Sequence, residues 1–284
     1  MFELTEHKLY KEHDLDSVMS NVFKIYFKRF PVLFISSFLF VFGVQFALYQ
    51  LGFWELYKLT NPDDVMKAFS FLAGKIGVVM LITVLMYGLM NAFHINYIFT
   101  KESGRDSDLG GIITETISKF TLHMIFYLIL SVLIFFTGSM IGVIAFIIGS
   151  FIALLYLAVV LFPGLTVIVA EKSNAIEAIG RSFSLSHKDF WPILGIILLL
   201  IVIIIFVSLV INAIIAVPFV VAFFEGINNY ENIFDVMNLE RYNMGTWTIV
   251  INSLVSALTY PFYTVLSVVI YFKLKYTEDR KNLK

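Results

Sequence analysis

Residues 124–170 form a run of 47 amino acids that contains no Asp, Glu, Lys, Arg or His. A single helix of that length would measure about 70 Å at about 1.5 Å per residue, whereas the hydrocarbon core of a bilayer is about 30 Å thick. Two spans joined by a tight turn fit, and the sequence TGSMIG predicts that turn at residues 137–142. The run therefore predicts an integral membrane protein.

The rest of the chain is also apolar. Charged residues make up 14% of it, against about 25% in soluble domains. Each of four further apolar runs exceeds the roughly 18 residues that a crossing requires. They cover residues 31–53, 76–99, 192–224 and 247–272. We expect an all-α, polytopic membrane protein with six transmembrane helices, and we expect Pro218 to kink or end the fifth.

Lys and Arg are distributed unequally around the six spans. Sixteen lie in the N-terminal segment, the second and fourth connections and the C-terminal segment, whereas four lie in the other connections. Cytoplasmic segments of membrane proteins carry the excess of these residues. The distribution predicts a multi-pass protein of the cell membrane with both termini in the cytoplasm.

An internal repeat divides this single membrane domain into units of about 14–99, 108–170 and 174–273. Each unit begins with apolar residues at helical spacing beside a charged face, a pattern typical of an amphipathic helix at the membrane interface. The prediction is three interfacial helices, each followed by a two-span hairpin. In the third unit, Asn174 and Glu177 predict a helix cap, and Glu177 and Arg181 an i,i+4 pair. Repeats are common in transporters, but duplication of a stable hairpin would also produce them.

The third unit carries a family resemblance. The sequence FPGLTVIVAE at 162–171 leads into AIEAIGRSFSL at 175–185 and KDFWPIL at 188–194. This segment contains a proline, an apolar run, a Glu and then a helix with Arg-Ser-Phe that leads into a span. The pattern resembles that of the prokaryotic family named for the glycerophosphoryl diester phosphodiesterase membrane domain, with its YciC-like relatives. The last span is similar too, since it runs from Pro261 to an aromatic and charged tail.

This resemblance implies a six-span membrane protein of unassigned function. In full-length members of the family, phosphodiester chemistry belongs to a separate soluble barrel. A barrel of that kind takes about 250 residues, for which this chain has no room beside its spans.

Glu171 and Arg181 are the first candidate site residues. If the chain bends after Lys172, the two side chains can meet at the cytoplasmic end of the fourth span. The pair could fix the corner between span and interfacial helix as a salt bridge, or Arg181 could hold an anionic lipid headgroup while Glu171 orients it.

Polar residues within the spans are the second set of candidates. We expect them to face the bundle and to form hydrogen bonds between helices. They are Asn91, His94, Asn96, Asn212 and Asn252. His94 is expected near the cytoplasmic interface, where it would be partly hydrated.

No catalytic motif or metal-binding spacing occurs in the sequence, so no enzymatic activity and no cofactor are predicted. The net charge of −1 indicates no nucleic-acid partner. Membrane lipids are the expected partners, with protein partners or self-association also possible. The leading hypothesis is a non-enzymatic scaffold or accessory subunit of the cytoplasmic membrane. The alternative is a transporter or lipid translocator that works at the interface between the repeat units.

Overall fold

The regular structure of this chain is helical throughout the part that the computed structural model describes, which is residues 7–52, 66, 70, 73–104, 107–144, 146–228 and 246–282. A π-helical turn, Thr116–Phe120, joins the third helix to the fourth. The helices are α1 (Leu15–Gln50), α2 (Ile76–Glu102), α3 (Leu109–Glu115), α4 (Thr121–Ile144), α5 (Phe146–Leu161), α6 (Gly164–Glu171), α7 (Ala175–Ser186), α8 (Phe190–Asn228) and α9 (Thr246–Asn282).

Six helical runs in the described residues are long and apolar enough to cross a membrane, which is the number that the sequence predicts. They are Leu15–Gln50, Ile76–Glu102, Leu109–Val143, Ile148–Glu171, Phe190–Ile214 and Ile249–Asn282. The structure does not describe residues 53–65 and 229–245, which make up most of the long connections after the first and fifth spans.

Pro218 does not end the helix of the fifth span, which was one of the two outcomes that the sequence led us to expect. Helix α8 continues through Pro218 to Asn228, so the helix does not end at that proline. Pro31 in α1 and Pro261 in α9 are likewise inside unbroken helices. Ending a helix in hydrocarbon exposes several backbone groups, whereas an interior proline removes one hydrogen bond.

A capping side chain stands at the start of each predicted repeat unit. Asp14 accepts a hydrogen bond from the Ser17 backbone N–H at 2.9 Å, and Asp108 accepts one from the Gly111 N–H at 2.9 Å. Asn174 forms the capping box that the sequence predicts with Glu177. Such caps satisfy N–H groups that the first helical turn leaves without partners.

The segments that precede the spans differ between the units. In the first unit the helix is continuous from its cap into the span as α1. In the second unit, α3 passes through the π-helical turn into α4 without a break. A separate short helix exists in the third unit, where α7 ends at Ser186 before α8 begins at Phe190.

The turn predicted in the centre of the chain lies within a helix. Helix α4 runs to Ile144, so residues 137–142 are helical and the turn predicted there is wrong. Their glycines serve close packing instead. A Cβ on Gly142 would collide with the backbone of Ser150, and one on Gly138 would lie 2.5 Å from Leu157 Cδ1. Small residues of this kind let helices approach closely in lipid.

The first and last spans form the most extensive helix–helix interface of the described residues. Tyr26 on α1 stacks on Phe262 of α9 with the ring centroids 3.9 Å apart, and its hydroxyl donates to the Leu258 carbonyl at 2.8 Å. Helix α9 packs far less on α8, its partner in the predicted third hairpin. The last span therefore packs mainly on the first span rather than on the span before it.

Between Phe190 and Ile214, where the burial of its side chains is described, helix α8 is fully buried only near its beginning. Ile193, Ile196 and Leu200 are fully enclosed, whereas Phe206 and Leu209 are 67% and 64% exposed. Apolar side chains at this exposure are compatible with contact to hydrocarbon.

The N-terminal segment before α1 folds back onto the last helix. The ring of His7 stacks on Phe272 at a centroid distance of 4.0 Å and lies 5.9 Å from that of Phe99. Tyr10 donates to Asp279 at 2.6 Å. The first described residues and the end of α9 thus meet at one end of the bundle.

Replacing Gly142 by Ala should destabilise the protein. The added methyl group meets the Ser150 backbone, and overpacking of this kind costs about 1–3 kcal/mol. Gly195→Ala is the matched control, because a Cβ at Gly195 meets nothing within 4 Å. Thermal unfolding in detergent micelles should show a lower midpoint for the first variant alone. Equal midpoints would contradict close packing at Gly142.

The stability of the protein should depend on the protonation of His7. Burial lowers the pKa of His7 from 6.5 to about 4, with Glu102 opposing and Lys8 reinforcing the shift. The folded state therefore holds the neutral ring, whereas the unfolded chain takes up a proton near pH 6.5. Protonation of His7 should therefore lower the free energy of unfolding progressively as the pH falls from about 6.5 towards about 4.

His7→Phe keeps an aromatic ring beside Phe99 and Phe272 and should flatten this decrease. Burial also lowers the pKa of His13, so a smaller slope remains in the variant. Unfolding midpoints measured between about pH 4 and pH 8 check the expectation. The same slope in both proteins would contradict it.

Candidate functional site

The corner between α6 and α7 contains an ion pair between Glu171 and Arg181. Glu171 is the last residue of α6, and Arg181 Nε donates to its two carboxylate oxygens at 3.1 and 2.9 Å. The chain turns at Lys172, whose φ of 54° lies in the left-handed region. That conformation is uncommon for a residue other than glycine, and it brings α7 back towards the end of α6.

Arg181 also joins the corner to the last helix. Its Nη1 donates to Glu278 Oε1 at 2.7 Å and its Nη2 donates to Glu278 Oε2, which is a bidentate arrangement. Glu278 accepts from two lysines as well, and Tyr271 donates to Glu171 at 3.1 Å. We call this group the corner cluster; it consists of Glu171, Arg181, Lys188, Tyr271, Lys275 and Glu278.

The charges of the corner cluster are paired with one another. Hydrogen bonds to Glu278 and then to Glu171 raise the pKa of the Arg181 guanidinium above its usual value. All three guanidinium nitrogens contact carboxylate oxygens, so an anionic headgroup would have to displace one of them. Of the two roles predicted for the pair, the geometry favours the salt bridge that fixes the corner.

Glu177 does not pair with Arg181 as the i,i+4 spacing predicts. Its carboxylate instead accepts from the Asn174 backbone N–H at 3.2 Å, as the second half of the capping box. Arg181 turns to Glu171 and Glu278 on other helices. The cap satisfies a backbone group that the helix itself cannot reach, whereas an exposed i,i+4 pair contributes only about 0.5 kcal/mol.

Two further ion pairs occupy related places in the first and third units. Arg29, two residues before Pro31, pairs with Glu102 at the end of α2, with 2.9 Å between Arg29 Nη2 and Glu102 Oε1. Asp189, three residues before Pro192, pairs with Lys273 on α9. Each pair joins the start of one span to the end of another, but the signs of the charges are reversed.

Asn91 and Asn96 form contacts between helices, and both are buried on α2. Asn91 Nδ2 donates to the Tyr260 hydroxyl of α9 at 2.8 Å. Asn96 Nδ2 donates to Thr116 Oγ1 at 3.1 Å and to the Ile112 carbonyl at 3.3 Å. The hydrogen bond from Asn96 to Thr116 thus connects α2 to the π-helical turn.

The other polar residues of the spans have different environments. His94 is completely buried, and its Nε2 lies 2.8 Å from Ser36 Oγ of α1, so the expectation of a partly hydrated ring is wrong. Asn212 is exposed, and among the described residues it donates only to the Ser208 carbonyl of its own helix. Asn212 therefore forms no hydrogen bond between helices among these residues. Asn252 is half-buried on α9.

A cavity of about 310 Å³ lies among α2, α4, α5, α6 and α9. Asn91 and Tyr260 form part of its wall, together with Tyr127 and Ser131 of α4. Helix α2 belongs to the first predicted unit, α4 to α6 to the second and α9 to the third. The cavity therefore lies where all three units meet.

The sequence did not lead us to predict that Glu278 and Lys275 belong to the corner cluster. Their spacing in the tail, where Lys275 bonds to Glu278 and to Asp279, follows the helical i,i+3 and i,i+4 rule and could have indicated a charged helical extension. The contact between Glu278 and Arg181 gives no such signal, because 97 residues separate them. Among the described residues no group of three His, Asp or Glu side chains is arranged to hold a metal ion.

Comparisons of the chain with protein-family models, with curated proteins and with solved structures found no match. The family resemblance of residues 162–194 therefore stays a prediction.

Arg181→Gln should destabilise the protein strongly. The change leaves Glu171 and Glu278 facing each other without the guanidinium, and loss of one partner from a buried ion pair costs about 3–5 kcal/mol. Since the side chain of Arg181 is 25% exposed, we expect the lower part of that range.

Arg280→Gln is the matched control for this variant. Arg280 pairs with Glu12 at 2.7 Å, but the two side chains are 53% and 74% exposed. Exposed pairs contribute about 0–1 kcal/mol. Thermal unfolding of the two variants in the same detergent should separate them by several degrees. A similar effect of both would contradict the central role of Arg181.

Proposed function

We propose that this chain is a non-enzymatic protein of the cell membrane that acts as a scaffold or accessory subunit. Both termini lie in the cytoplasm in this proposal, and the corner cluster faces the cytoplasmic leaflet. The observation that carries the proposal is the mutual pairing of Glu171, Arg181 and Glu278, which ties α6, α7 and α9 together. Charges used in this way hold a rigid shape.

The surface of the bundle supports membrane lipids as partners. Large apolar side chains point outward along the spans, among them Phe136 and Phe151 at 65% and 63% exposure. A protein partner or a second copy could cover part of this surface, as an accessory subunit requires.

We also propose membership of the glycerophosphoryl diester phosphodiesterase membrane-domain family. The residues that carry the resemblance coincide with one structural unit. Pro163 separates α5 from α6, Glu171 ends α6, and Arg181 meets it from α7. A motif that builds such a corner would account for its pattern without any catalytic role.

The orientation can be tested by chemical labelling, because the natural chain contains no cysteine. Lys281→Cys should react with a membrane-impermeant maleimide only after the cells are permeabilised. Asp63→Cys, in a predicted outer connection, should react in intact cells. The reverse pattern would overturn the proposed orientation.

The non-enzymatic character is tested with the purified full chain in phospholipid vesicles. We expect no release of fatty acid, headgroup or phosphate from phospholipids or from a soluble phosphodiester. Hydrolysis that follows the protein through purification and is lost on heat denaturation would overturn the proposal.

A lipid translocator is the second candidate, and the cavity at the meeting of the three units favours it. Translocation through this place would require the cavity to be open to the lipid. Leu128 and Ala158 contribute to its wall, so Leu128→Trp should block movement of a fluorescent phospholipid between the leaflets of protein-containing vesicles. Absence of such movement in the unmodified protein would remove this candidate.

A further inference from the structure

We infer that the cavity among α2, α4, α5, α6 and α9 binds one uncharged, single-chain amphiphile that carries a hydroxyl group. The inference goes beyond the scaffold proposal, and it holds whether or not the molecule crosses the membrane. It rests on the position of the cavity, the composition of its wall and the hydrogen-bonding state of two residues.

The wall of the cavity selects against charge. Its described lining is aliphatic and aromatic with a few hydroxyl and amide groups, and it contains no acidic or basic side chain. A charged group enclosed there would have no counterion, which is costly in a low-dielectric region. An uncharged ligand avoids this cost.

Asn91 provides a hydrogen-bond acceptor in the wall. Its Nδ2 donates to the Tyr87 carbonyl at 2.7 Å and to the Tyr260 hydroxyl at 2.8 Å. A carbonyl oxygen only accepts hydrogen bonds, so the contact with Tyr87 fixes the orientation of the amide. Both amide hydrogens are then used, while Oδ1 keeps its capacity to accept.

Tyr260 provides the complementary donor. Its oxygen accepts from Asn91, so its own O–H remains to donate. A ligand hydroxyl can accept this hydrogen bond and donate its own hydrogen to Asn91 Oδ1. Two adjacent groups of opposite hydrogen-bonding sense therefore match one hydroxyl group, whereas an ether or a hydrocarbon would leave Asn91 unsatisfied.

The size of the cavity limits the apolar part of the ligand. Its volume of about 310 Å³ is at the lower end of the roughly 300–1,000 Å³ of small-molecule sites. One alkyl chain fits such a space, but the two chains of a phospholipid do not. Tyr263 lines the cavity and is 36% exposed, so the cavity reaches the surface at this position of α9.

The test uses the full-length protein in detergent micelles and a monoacylglycerol with a photoreactive diazirine in its alkyl chain. Peptide mapping after illumination should place saturable labelling on the lining of the cavity, around Leu161 and Leu165. The diazirine-labelled fatty acid of the same length, ionised at pH 8, should label this lining much more weakly. Equal saturable labelling by both probes would overturn the selection for an uncharged ligand.

Variants distinguish the cavity from the outer surface. Leu128→Trp fills the cavity and should abolish saturable labelling, whereas Leu133→Trp, at a position of α4 that is 56% exposed, should leave it unchanged. Labelling that is insensitive to Leu128→Trp would overturn the inference.

Two further variants test the hydrogen-bonding pair. Tyr260→Phe removes the O–H donor and keeps the ring beside Tyr87, and Asn91→Leu removes the acceptor. Loss of one hydrogen bond should weaken monoacylglycerol binding about threefold to tenfold. Thermal unfolding identifies variants that fail to fold, and Tyr260→Phe is the decisive one because it preserves packing. Unchanged affinity in a folded Tyr260→Phe protein would overturn the role of the pair.

Discussion

The bidentate contact between Arg181 and Glu278 fixes the position of α7 against the last helix. It connects a short helix of the third unit to the far end of the last span, and Glu171 extends the connection to the fourth span. Because Glu278 is only 6% exposed, the charges are partly removed from water, where each partner needs the other. A flexible surface pair could not define an angle between helices in this way.

Within the spans, close approach of backbones replaces the hydrophobic driving force that holds soluble bundles together. Gly142 lies against the backbone of Ser150, and Gly164 lies against the ring of Tyr127. The Tyr127 hydroxyl then donates to the Leu161 carbonyl at 2.6 Å, next to the interruption between α5 and α6. Small residues and hydrogen bonds thus stabilise the region where an apolar environment gives no preference for one helix face over another.

The sequence predicted the features that depend on local composition and missed those that depend on distant contacts. Five apolar runs, one of them long enough for two crossings, predicted six spans, since hydrocarbon thickness fixes the length of a crossing helix. The turn predicted at TGSMIG was wrong because small residues occur both in turns and in close contacts between helices. Asn212 was misplaced because α8 is apolar on all sides, so no periodicity indicates its inner face. The cavity could not be predicted, since three units contribute to it.

If the predicted repeat units arose by duplication of one hairpin, the reversed signs of the pairs Arg29–Glu102 and Asp189–Lys273 have a consequence for assembly. Duplicated hairpins would carry similar surfaces, and each could associate with the wrong copy while the polypeptide enters the bilayer. An exchange of partners would set Arg29 opposite Lys273 and Asp189 opposite Glu102, which places like charges together. The same four residues thus favour the observed pairing of helices and disfavour the exchanged one.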